Sequence, residues 1–130
     1  MSVSVAVDCR SLLSEGPVFA DGTLYWVDIP GQLFSFLPAG ATDPTTVHFD
    51  TPVSAVIPIH GRPGSVLLCL GRSIVIYDIE KVSSSLFLPV SIIGCASNVF
   101  YCVQKTQQTL ATVDEDAPAN RLNDAKCDPV

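Results

Sequence analysis

The residues that could do chemistry lie near the two ends of the chain. Between Asn120 and Pro129 it reads Asn-Arg-Leu-Asn-Asp-Ala-Lys-Cys-Asp-Pro, a Pro-terminated stretch dense in charges and amides on an otherwise apolar chain. Asn123 lies two residues from Arg121, which puts a group that both donates and accepts beside a rigid planar donor fork. Such a pair can hold the hydroxyls and the carbonyl or carboxylate of a small polar metabolite. Read locally, the same residues form Asx-turns ahead of a strand, with Arg121 and Lys126 solvated. Glu15, just ahead of Gly16-Pro17, reads on its own as an exposed turn acid.

Other reactive types form no recognisable site. His48 and His60 have no Ser or Cys nucleophile at triad-like spacing and read as solvated or capping residues. Asp114-Glu115-Asp116 lacks the alternating ligands and central glycine of an EF-hand loop, so a solvated acidic loop is expected. Gly-rich phosphate loops are absent. Cys9, Cys69, Cys95, Cys102 and Cys127 are odd in number and irregularly spaced, without a Cys-x-x-Cys pair, which predicts reduced thiols rather than zinc or a disulfide framework.

The bulk composition narrows the class. With 130 residues, 48% hydrophobic and 15% charged, the chain can build one real core. A formal charge of -6 and only 7 scattered Lys and Arg exclude non-specific nucleic-acid binding. The start of the chain has no basic segment followed by an apolar run, and no Asn-x-Ser/Thr sequon occurs, so a cytoplasmic protein is expected.

The elements that must position these groups read as short strands. Residues 23–37 are two aromatic and β-branched runs joined at Pro30-Gly31, a hairpin signal. Ser65 to Leu70, the turn Gly71-Arg72 and Ser73 to Ile79 repeat that pattern, and Leu24-Tyr25-Trp26-Val27 precedes Val66-Leu67-Leu68-Cys69 by 42 positions. Thr45 to Phe49 and Val53 to Ile59 supply further strands, with Gly61-Arg62-Pro63-Gly64 as a hairpin loop. A strand-only repeat of this period predicts an all-β partial propeller of about two blades and the start of a third.

Residues 82–104 break the pattern. They carry no charge, and Leu86 to Val103 is an 18-residue, mostly apolar run. Pro89, Gly94 and interspersed polar residues weaken both hydropathy and helicity, so no membrane span is expected. An extra buried strand pair is one reading. Deleting 82–104 joins Lys81 to Lys105 and leaves a strand, a polar turn and a strand, which marks the segment as an atypical insertion.

The ordered set Ser14-Glu15-Gly16-Pro17-Val18-Phe19, Leu24-Tyr25-Trp26-Val27-Asp28-Ile29, Pro52-Val53-Ser54-Ala55-Val56, Ala111-Thr112-Val113-Asp114 and Asn120-Arg121-Leu122-Asn123-Asp124 resembles the N-terminal part of the regucalcin (senescence-marker protein)/gluconolactonase family. The resemblance covers residues 1–130 apart from 82–104. It implies part of a six-bladed β-propeller that binds a divalent cation, Ca²⁺, Zn²⁺, Mn²⁺ or Mg²⁺, in its channel and hydrolyses small sugar lactones. It implies Glu15 as a metal ligand and Arg121 and Asn123 as substrate-binding residues. The remaining metal ligands and the catalytic acid-base carboxylate are expected beyond Val130, so little or no activity is expected of this chain alone. Leu122 and Ala125 replace the family's usual aromatic and glycine, and Ala125 fits only where no positive φ is needed.

Two alternatives come from other classes: a non-enzymatic calcium-binding regulatory protein, and a non-functional splice product. The second follows from the insertion, since a valine codon begins with GT and a glutamine codon is CAG, the letters that open and close introns. The hypothesis that Val82 to Gln104 is a translated intron predicts a transcript joining Lys81 to Lys105. Reverse transcription across that junction checks it, and finding only the long form in every tissue overturns it.

Overall fold

A computed structural model describes residues 2–81, 98–101 and 107–127. Nine strands among these residues form two sheets: β1 (Ser14–Ala20), β2 (Thr23–Asp28), β3 (Leu33–Pro38), β4 (Thr45–His48), β5 (Val53–Pro58), β6 (Ser65–Leu70), β7 (Ser73–Asp78), β8 (Asn98–Tyr101) and β9 (Gln107–Thr112). The first sheet has the order β1-β2-β3-β4-β8 and the second β5-β6-β7-β9. Strands β1 to β4 of the first sheet and all four strands of the second form antiparallel meanders, as the repeat predicts, and β2 and β6 occupy the same place in the two sheets. Residues 113–127 follow β9 without a strand.

The segment after Lys105 supplies β9, which pairs antiparallel with β7. Of the expected insertion, 82–97 and 102–104 lie outside the described residues. Its described part, β8, pairs in parallel with β4 and so extends the first sheet. No helix among the described residues is long and apolar enough to cross a membrane.

A single hydrophobic core joins the sheets, fed by period-two patterning. Along β7, Val75 and Tyr77 are buried while Ile74 and Ile76 are only half-buried. Phe34 is fully buried and meets Tyr77 edge-on at 6.0 Å between ring centres, and Phe49 meets the same ring at 5.5 Å. Edge-to-face contact satisfies the ring quadrupoles and adds to the area buried. The two sheets thus lock through aromatic groups on β3, β7 and the turn after β4. The inner strands differ: β5 lies against β1, β2 and β3 and has four consecutive buried residues, whereas most of β1 is exposed, Phe19 included.

The cysteines follow the expectation where they are described. Cys9, Cys69 and Cys127 are free thiols. Burial, with the Asp124 carboxylate acting in the same direction, pushes the Cys69 thiol up from its ordinary value, so it is held protonated as a small core residue.

Replacing Phe34 by alanine opens a cavity under Tyr77. Phe34→Ala is expected to lower stability by about 3–5 kcal/mol, read as a lower urea midpoint at unchanged slope.

Candidate functional site

Glu15 is placed by backbone chemistry more than by packing. The buried Asp28 carboxylate at the end of β2 accepts hydrogen bonds from the amides of Leu12 at 2.7 Å, Leu13 at 3.1 Å and Gly31 at 3.1 Å. The Ile29 amide donates to the Leu13 carbonyl at 3.3 Å. The chain is therefore pinned immediately before Glu15. After it, Gly16 adopts φ +56° and the β1–β2 register shifts between Glu15 and Val18. This bulge re-aims the strand at its entry and lets Pro17 sit there without a ladder hydrogen bond.

Arg121 and Asn123 lie on the loop after β9, which is tied to the β6–β7 turn. The Leu122 amide donates to the Gly71 carbonyl at 2.8 Å, and the Val113 amide to the Arg72 carbonyl at 3.0 Å. Arg72 Nη1 donates to the Asp114 carbonyl at 2.6 Å, and Asn120 Nδ2 donates to the Asp114 carboxylate at 3.1 Å. Asp114 itself takes φ +51° and accepts the Ala117 amide. The acidic run that reads as a solvated loop thus contributes one exposed but structural residue, Asp114, whose carboxylate and carbonyl organise the loop.

Within that loop Arg121 Nη1 donates to the Asn123 side-chain oxygen at 3.0 Å and to the Leu122 carbonyl at 3.0 Å. The two expected substrate-binding groups are thus bonded to each other. With its oxygen engaged by Arg121, the Asn123 amide keeps its NH₂ as a donor. Ala125 is not among the residues with positive φ, which removes the objection to alanine at that place.

One cavity of about 700 Å³ brings Glu15, Arg121 and Asn123 together, with Asp124 and Lys126 from the same loop and Ser54 from β5. Glu15 and Arg121 are 106 positions apart, so only the fold makes them neighbours. Neither His48 nor His60 lines it. The donor set offers hard oxygens at Glu15, Asp124 and Asn123, the type that suits calcium, magnesium or manganese. Yet among the described residues no three His, Cys, Asp or Glu side chains come together as a metal group.

Two positioning residues escaped the sequence reading, Asp28 and Arg72. Asp28 had a signal: a carboxylate directly before Ile-Pro-Gly is placed to cap a turn. Arg72 had none, since its partner is 42 positions away. Arg72→Ala is expected to speed hydrogen exchange of the Leu122 amide by about threefold to tenfold, the worth of one such bond. An unchanged rate would show that the loop is held without it.

The profile of the SMP-30/Gluconolactonase/LRE-like region matches residues 13–130. No curated protein matches. Among solved structures, a luciferin-regenerating enzyme superposes with a TM-score of 0.67 at 27% identity, covering 92% of this chain and 34% of that one. The chain therefore spans about a third of that enzyme's length. By this family match over nearly its whole length, the chain belongs to the SMP-30/gluconolactonase/LRE-like family.

Proposed function

We propose that the cavity between β1, β5 and the 113–127 loop is part of a site that binds small sugar lactones for divalent-cation-dependent hydrolysis. The observation that carries this reading is the convergence of Glu15, Arg121 and Asn123 on one cavity, with Arg121 and Asn123 already bonded to each other. Arg121 orients the ester through its N–H fork, and the Asn123 NH₂ donates to a ring hydroxyl. Glu15 would hold one side of a divalent cation, which when bound polarises the lactone carbonyl and lowers the pKa of its water.

Turnover also requires a proton acceptor at the reacting atoms, and Asp124, the other described carboxylate of the cavity, does not complete a group of three metal-ligating side chains with Glu15. This supports a second reading, cation or lactone binding without hydrolysis, resting on the incomplete donor set. Calorimetric titration of the purified chain with Ca²⁺ or Zn²⁺, with and without gluconolactone, separates the two. Lactone binding is expected to weaken by about tenfold or more in Arg121→Ala, the worth of a charge-assisted hydrogen bond. Hydrolysis is expected to stay near the uncatalysed rate. Equal lactone affinity in Arg121→Ala and its parent would sink the binding assignment, and clear turnover by the 130-residue chain would sink the expectation of inactivity.

A further inference from the structure

The inner strands of the two sheets are built alike, and each breaks its register at the cavity. In β1 the break falls between Glu15 and Val18, and in β5 between Val53 and Ala55, which leaves Ser54 as the residue without a partner on β6. The pairings give the equivalence. Val27 of β2 faces Glu15, and Cys69 of β6, 42 positions on, faces Ala55. A bulge bends its strand and redirects a side chain, and bulges recur beside functional sites.

Ser54 lines the same cavity as Glu15, Arg121 and Asn123. It is buried, with 4% of its surface exposed, and its hydroxyl has no hydrogen-bond partner among the described residues. The contrast with other buried polar side chains is informative. Asp28 accepts three amides, and Ser35 and Thr46 bond each other at 2.9 Å. A buried hydroxyl left unpaired is destabilising, and an alanine would fill the same place with nothing to satisfy.

We propose that Ser54 is a ligand-contacting residue of this cavity, its hydroxyl donating a hydrogen bond to a ring hydroxyl oxygen of a bound sugar lactone. The proposal rests on the lactone reading of the cavity. A serine hydroxyl moves among three staggered positions, so a polyhydroxylated ligand in the cavity can draw it out of the place it holds in the free protein. Ala55 is then the counterpart of Glu15 on the second inner strand, and Ser54 is the bulge residue beside it, one strand reading the sugar and the other placed for the cation.

The test is Ser54→Ala in the full chain, measured by thermal melting and by titration with gluconolactone and with δ-valerolactone, a ring ester that carries no hydroxyls. The expected result is a melting temperature no lower than the parent's, gluconolactone binding weakened about threefold to tenfold, and δ-valerolactone binding unchanged. Arg121→Ala serves as the control for the cavity itself. Parent-like gluconolactone affinity in Ser54→Ala, with binding lost in Arg121→Ala, would overturn the role of Ser54 and leave the lactone site standing. No gluconolactone binding by the parent would overturn both. A clearly lower melting temperature would assign the hydroxyl a structural partner and overturn the proposal as well.

Discussion

The arrangement depends on one buried carboxylate. Asp28 sits at the end of β2 with 3% of its surface exposed, and a charge so placed is tolerable only when its oxygens are satisfied. Three backbone amides do this, two from the segment entering β1 and one from the β2–β3 turn. The same contact explains Gly31, because a Cβ there would lie 2.8 Å from the carboxylate carbon. Glycine is required at this turn by close approach rather than by backbone dihedral. Without the carboxylate, the entry to β1 would have unpaired amides and the bulge that follows Glu15 would have no fixed starting point.

The strands with plain period-two patterning were legible in the sequence. Val75 and Tyr77 point to the core for the reason that the pattern states, and β2, β3, β4, β5, β6 and β7 appear within a residue or two of where the residues predict them. The missed strand is β1. Gly16-Pro17 in its middle reads as a turn, since proline cannot donate to a ladder and glycine weakens a strand. The structure places both residues in a bulge, where neither objection applies. A local signal for irregularity was read as an end when it was a bend.

The site was legible only in part, and for a physical reason. Arg121 and Asn123 announce themselves as an Arg-x-Asn pair, and their mutual hydrogen bond is local enough for spacing to suggest. Glu15 has no local distinction, and its meeting with them depends on two sheets packing correctly. The orphaned hydroxyl of Ser54 was invisible, because a serine in a strand reads as an ordinary polar position until the register slips beside it. Asp114 was read by charge alone, while its role comes from φ +51° and the contacts that hold it there.

The unequal cover of the two inner strands has a consequence for how such a chain gains stability. β5 is shielded because β1, β2 and β3 lie against it, whereas most of β1 is exposed among the described residues. Each sheet added to such a row buries the inner strand of its neighbour, so the free energy grows by contacts between adjacent units, as in a one-dimensional array. The two described sheets share one such junction, and apolar groups at β1, Phe19 and Leu13 among them, are left exposed by it.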